Sequence, residues 1–196
     1  MSDATISIAM TPETSFVPPP DLTTERLTLR PIVDADVEAL HAMLSDAETM
    51  RYWSTLPHTE RQQTIDWIIG NRTAMAAGTA LEYGAVYQGK LIGRATFWNG
   101  NEIGYLFDRA YWGQGFAREC LTAMIDYAFR FRDWGEIIAD IDPRNLPSWR
   151  LLERLGFRRT SFELNTFCIG GQWSDSQYLA LGRPAWLMRQ QQRASQ

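Results

Sequence analysis

Three strand-like runs follow one another with almost no chain between them, at residues 81–87, 91–98 and 102–107. Only Gln88-Gly89-Lys90 and Asn99-Gly100-Asn101 separate them. Connections that short close hairpins and cannot carry a crossover, so the three runs form an antiparallel meander. Straight after it come Tyr111-Trp112-Gly113-Gln114-Gly115-Phe116-Ala117-Arg118 and then Cys120, Leu121, Met124, Ile125, Ala128 and Phe129 at helical spacing. A meander feeding a long amphipathic helix through a glycine-rich turn leaves few architectures open.

The flanks fill in the rest. Residues 26–30 alternate polar and apolar and end at Pro31, which reads as a strand. Asp34 is placed to cap a helix carrying Val37, Leu40, His41 and Leu44 on one face. Thr59 with Gln62 has the form of a capping box, opening a helix through Ile65, Ile68 and Ile69 that ends at Gly70. A short strand at 137–141 precedes a helix at 146–155, stopped by Gly156. Runs at 157–167 and 173–181 flank Gly170-Gly171 as a final hairpin. The order β, α, α, β, β, β, α, β, α, β, β describes one α+β layered domain with a mixed sheet. It is expected to span 21–188, with a mobile Thr-, Ser- and Pro-rich arm at 1–20 and a polar tail at 189–196.

Composition narrows the function classes. In 196 residues, 19 basic and 23 acidic side chains give a net charge of −4, which argues against a nucleic-acid partner. Two cysteines, Cys120 and Cys168, build no disulfide framework, and with two histidines, His41 and His58, they leave no credible zinc set. No run of 18 apolar residues is present, which argues against a membrane span, and the first twenty residues lack the basic start of a signal peptide. The expectation is a cytoplasmic protein.

The glycine-rich stretch has two readings. It is a turn that starts a helix, or it is an anion cradle in which glycines admit close approach and free helix-start amides face a pyrophosphate. A dinucleotide fingerprint fails, because the spacing is Gly-x-Gly-x-Ala and antiparallel strands precede it. The stretch Asp142 to Phe157 is similarly open by itself, with Asn145 a cap and Leu151, Leu152 and Leu155 core.

Taken together the two stretches resemble the GNAT (GCN5-related N-acetyltransferase) superfamily, and more narrowly its branch of ribosomal-protein N-terminal acetyltransferases. Gly113, Gln114, Gly115, Phe116, Ala117 and Arg118 stand where that family has its pyrophosphate loop. Asn145-x-x-Ser148 with Leu155-Gly156-Phe157 is similar to its second acetyl-CoA motif. Residues 24–31 resemble the opening strand, 102–105 the fourth strand and 171–175 the last hairpin turn. The resemblance implies acetyl-CoA as co-substrate, with a fourth and a fifth parallel strand that splay and helices on both faces of the sheet. The pantetheine arm then adds to the edge at Tyr105, Leu106 and Phe107, with the Leu106 amide facing the thioester carbonyl.

Two departures stand out. Trp112 replaces the usual Gln or Arg, and Leu152 replaces a tyrosine that protonates the leaving thiolate in many relatives. By resemblance that role passes to Ser148. Glu102 is the candidate base, unless it only begins a strand, with Glu163 and Asp175 as weaker alternatives. Tyr52, Trp53, His58 and Trp98 are expected to wall the acceptor pocket, unless they are core, and Asp175 to hold a cationic acceptor. The implied acceptor is an amine-bearing partner: a ribosomal or other protein N-terminus, or a small amine such as an amino acid, polyamine or antibiotic. A catalytically silent acetyl-CoA-binding module is the alternative, and a monomer or a homodimer fits either.

Overall fold

Every neighbouring pair of strands but one is antiparallel, and that one exception creates the site. The computed structural model describes residues 19–194. It contains β1 (Leu22–Thr23), β2 (Thr28–Arg30), α1 (Val37–Ser45), α2 (Arg61–Ala76), β3 (Ala80–Tyr87), β4 (Lys90–Trp98), β5 (Glu102–Phe107), α3 (Phe116–Phe131), β6 (Glu136–Ile141), α4 (Leu146–Leu155), β7 (Arg158–Ile169), β8 (Gln172–Gly182) and α5 (Arg183–Ala194). The sheet order is β1-β2-β3-β4-β5-β6-β8-β7. The expected fourth and fifth strands are therefore β5 and β6, because the opening segment splits in two.

β5 and β6 run parallel and register only at Glu102 and Ile138, where the Ile138 amide donates to the Asn101 carbonyl at 3.0 Å. Beyond that pair β6 follows β8, through six antiparallel pairs, and the two strands part. The splay is the expected one.

Two apolar layers cover the sheet. On one face α1 and α2 bury Val37, Leu40, Met43, Leu44 and Ile68 against Leu91 and Leu106. On the other, α3 and α4 bury Phe116, Cys120, Leu121, Met124 and Leu152 against Ile92, Phe97, Ile103 and Phe107. Successive strand side chains alternate faces, so Glu102 and Leu106 point to the α1/α2 layer and Tyr105 to the α3/α4 layer.

Several expectations need correction. α2 does not end at Gly70 but runs to Ala76, because the next turns bury Met75 and outweigh one exposed helical glycine. Its start is held by Gln63 and not Gln62: the Gln63 carboxamide accepts from the Thr59 and Glu60 amides at 2.7 and 2.9 Å. Asp36, not Asp34, accepts from the Val33 amide at the start of α1 and pairs with Arg30 at 2.6 Å. The expected polar tail begins inside α5, anchored by buried Trp186, whose indole donates to Asp126 at 2.6 Å. The expected arm falls almost wholly on residues outside the described ones. No helix among the described residues is long and apolar enough to cross a membrane.

Candidate active site

The glycine-rich loop is built by its own turns and held by a distant arginine. Asp108 accepts from the Ala110 amide at 2.9 Å to start the turn, and Gly113 and Gly115 adopt φ of 72° and 84°, which L side chains rarely tolerate. Gly115 caps α3 with no side-chain hydrogen bond, so the first-turn amides of Phe116, Ala117 and Arg118 are left to a ligand. Arg26 donates from Nη1 to the Gln114 carbonyl at 3.0 Å and from Nε to Glu119 at 2.7 Å, with its guanidinium 4.2 Å above the Phe116 ring. Thr24 adds a hydrogen bond to Glu119 at 2.6 Å. Burial pushes the Glu119 carboxyl up, but the bonds from Thr24 and Arg26 outweigh it and hold it below its ordinary value. The sequence reading missed this anchor, although Arg26 lay inside the segment that resembled the opening strand.

Trp112, the departure in the loop, spends its indole N–H on the Phe107 carbonyl at 2.8 Å. It locks the loop to the end of β5.

The parity of β5 decides which amides face the gap. Asp108 donates to Ile92 on β4 at 2.9 Å, while Asn101 accepts from β6. Backbone groups alternate sides along a strand, and β4 and β5 pair without a bulge from Gly93↔Phe107 to Trp98↔Glu102. The Leu106 amide is thus turned to β4, and its expected role at the thioester carbonyl is corrected. The amides turned to the open gap are those of Tyr105 and Phe107.

A cleft of about 790 Å³ opens at the gap. It brings together Tyr52, Trp53, Trp98, Glu102, Tyr105, Asn145, Ser148 and Asp175 from the expected set. It does not include Glu163, which lies exposed on β7, nor His58. His58 Nδ1 sits 2.9 Å from the buried Thr64 hydroxyl, which His41 Nδ1 also meets at 2.8 Å. Burial and then the charge of His41 lower its pKa, and His58 joins α1 and α2 instead of walling the acceptor pocket.

Within the cleft the carboxylates differ. Burial and then the charge of Asp140 raise Glu102 above the ordinary range, which moves it toward the pH at which a base works. Asp140 is itself raised, by burial and by Glu163, against a 2.9 Å hydrogen bond from Ser176. Asp142 goes the other way: burial is outweighed by Arg144, which pairs with it at 2.5 Å. Asp175 accepts from the Asn165 amide at 2.9 Å, so part of its capacity is used in the hairpin.

Across the gap, Asn145 Oδ1 caps α4 by accepting from the Ser148 amide at 3.2 Å. Ser148 Oγ lies 2.5 Å from the Tyr105 hydroxyl. Burial raises the Tyr105 phenol, with the Ser148 bond acting against it, so the hydroxyl keeps its proton. Leu152 is fully buried core. The sequence reading took Tyr105 for its backbone alone and missed this side chain.

One further pair escaped it. Arg94 on β4 and Glu82 on β3 form an ion pair at 2.6 Å with side chains 2% and 4% exposed, and Arg94 lies 4.3 Å from the Trp67 ring and 5.5 Å from that of Trp53. Opposite charges inside two apolar runs were the available signal.

A family model for the acetyltransferase (GNAT) domain matches residues 26–158. The uncharacterized N-acetyltransferase p20 of Bacillus licheniformis is 35% identical over 146 residues, 70% of this chain and 82% of the relative. The [ribosomal protein uS5]-alanine N-acetyltransferase of Escherichia coli (strain K12) is 29% identical over 187 residues, 88% of this chain and 95% of the relative. A solved RimL, a ribosomal L7/L12 alpha-N-protein acetyltransferase in complex with coenzyme A, shares the fold with a TM-score of 0.74 at 22% identity, covering 83% of this chain and 97% of that one.

Proposed function

The chain belongs to the acetyltransferase (GNAT) family and is an acetyl-CoA-dependent N-acetyltransferase, and from that premise we propose that its acceptor is the α-amine of a protein N-terminus. The protein acceptor is supported by the likeness to the uS5-acetylating relative, and the transfer chemistry by the placement of acid and base on opposite faces of the gap. Glu102 points to the α1/α2 side, and the Tyr105–Ser148 pair lies on the α3/α4 side, with the Tyr105 and Phe107 amides in the gap between them.

In this reading the amides at the start of α3 hold the pyrophosphate, and the open edge of β5 holds the pantetheine arm as an added strand. The bound acetyl-CoA supplies an activated acyl group. Glu102 removes a proton from the attacking amine, directly or through water, and its raised pKa suits it to accept one near neutral pH. A gap-facing amide of Tyr105 or Phe107 donates to the thioester oxygen as it gains charge. Ser148 gives its proton to the departing sulfur. No covalent acyl-enzyme is needed, so amine and acetyl-CoA are present together. The name and 88% coverage of the uS5-acetylating relative support a protein acceptor, and a cytoplasmic setting belongs to the same reading.

A free small amine is the second reading, favoured by the carboxylates of Glu102, Asp140, Asp142 and Asp175 in one cleft. Thiol release with peptides beginning Ala, Ser or Met, set against polyamines and free amino acids at equal acetyl-CoA, decides between them. A tenfold or greater preference in kcat/KM for peptides is expected, and the reverse preference refutes the protein acceptor.

A further inference from the structure

On the acceptor side of the cleft one polar group has nothing to bind. Asn71, on α2, is 7% exposed and lines the cleft, and its Nδ2 is buried with no hydrogen-bond partner among the described residues. An unpaired buried amide is a cost to the fold that a bound oxygen would relieve.

What such a donor lacks is an oxygen. Arg94 lines the same cleft, its guanidinium 4.3 Å from the Trp67 ring and 5.5 Å from that of Trp53. An N–H donor offers nothing to an ammonium group, so this wall does not take the amine. The charge of Arg94 is already matched by Glu82 at 2.6 Å, so a second carboxylate gains little and would be desolvated. A neutral carbonyl fits both facts.

The register supplies the scale. Arg94 and Trp98 lie on the same face of β4, and Trp98 pairs with Glu102. Four residues of strand span roughly 13 Å, and an extended acceptor covers about 3.3–3.6 Å per residue, so this wall is long enough for several residues of an extended chain.

We propose that Asn71, on the same cleft wall as the neutralised Arg94–Glu82 pair, receives a backbone carbonyl of a peptide acceptor, on the chain behind the amine that is acetylated. The proposal rests on the protein-acceptor reading and deepens it. It gives the cleft a polarity, with carboxylates for the amine and an amide donor for the chain behind it. A polyamine has no oxygen to offer and leaves Asn71 unpaired.

The test uses Asn71→Leu and Asn71→Ala in the full chain, with an Ala-initiated peptide, acetyl-CoA affinity and thermal unfolding. KM for the peptide is expected to rise tenfold or more in both variants, with kcat within twofold and acetyl-CoA affinity unchanged. Tm of Asn71→Leu should equal or exceed that of the parent, because an orphaned polar group is gone. Unchanged peptide kcat/KM in an otherwise peptide-active enzyme overturns the subsite and leaves the protein acceptor standing. A parent that acetylates no peptide overturns the protein acceptor, and the subsite with it. A lowered Tm in both variants marks Asn71 as a structural amide and also overturns the proposal.

Discussion

The Tyr105 hydroxyl lies 2.5 Å from Ser148 Oγ, joining a strand on one side of the gap to the first turn of a helix on the other. Because burial keeps the phenol protonated, Tyr105 can donate to Ser148 and leave the serine hydrogen free for a third atom. That donation also stabilises the negative charge Ser148 acquires when it gives up a proton. A serine hydroxyl by itself is a weak acid, and under the proposed mechanism the tyrosine makes good the absence of one at position 152.

Ser148→Ala should therefore lower kcat by about 10²- to 10⁴-fold, the usual range for a general acid. Tyr105→Phe should lower it by a smaller factor, with acetyl-CoA affinity kept, and the double variant should be no worse than Ser148→Ala. Steady-state rates of thiol release for the three variants check this. Additive losses would mean that the two hydroxyls act separately.

Asp140→Asn should move the acidic limb of the rate profile. Glu102 must be deprotonated to accept a proton, so activity rises as pH rises through its pKa. The charge of Asp140 is one of the two causes that raise it, and removing that charge lowers the Glu102 pKa. The limb should shift to lower pH, while Glu102→Gln should abolish it. A profile of kcat/KM against pH reads both, and a limb unmoved in either variant would take the base assignment away from Glu102.

Glu119→Gln should loosen the pyrophosphate loop. The folded pKa of Glu119 is depressed, so its contribution to stability is present above the ordinary value of 4.5 and is lost as pH falls through the folded value. At neutral pH the substitution weakens charged hydrogen bonds from Thr24 and Arg26, at a cost of about 1.5–3 kcal/mol. Urea unfolding at pH 7 and at pH 3 should show a difference between parent and variant that shrinks in acid. Acetyl-CoA affinity at pH 7 should fall as well, because Arg26 loses one of the groups that aim it at Gln114.

Glu82→Leu should be among the most damaging substitutions outside the gap. It leaves the Arg94 charge buried without its partner, a loss of about 3–5 kcal/mol. Glu82→Leu with Arg94→Met should recover much of that stability, since no buried charge then lacks a partner. Denaturant midpoints of the single and double variants measure the recovery.

What the sequence determined was local in origin. The loop from Gly113 to Arg118 and the amphipathic helix behind it need only backbone freedom and spacing. The meander needs only connectors too short for a crossover, and Asn145 before Ser148 needs only a helix start. These features are written in residues a few positions apart, so they were legible, and the resemblance that followed carried the splayed strands with it. What the tertiary structure decided depends on residues brought together from far along the chain. Which amides of β5 face the gap is a matter of register against β4 and β6, which is why the Leu106 amide is turned to β4 and those of Tyr105 and Phe107 to the gap. Whether His58 reaches the cleft depends on Thr64 and His41, and whether α2 passes Gly70 depends on what Met75 buries. The same holds for Arg26 under the loop, Arg94 against Glu82, and the Tyr105 hydroxyl on Ser148, pairs 88, 12 and 43 residues apart. Local propensity is silent about such pairs, because their free energy comes from burial and geometry that exist only once the sheet is assembled.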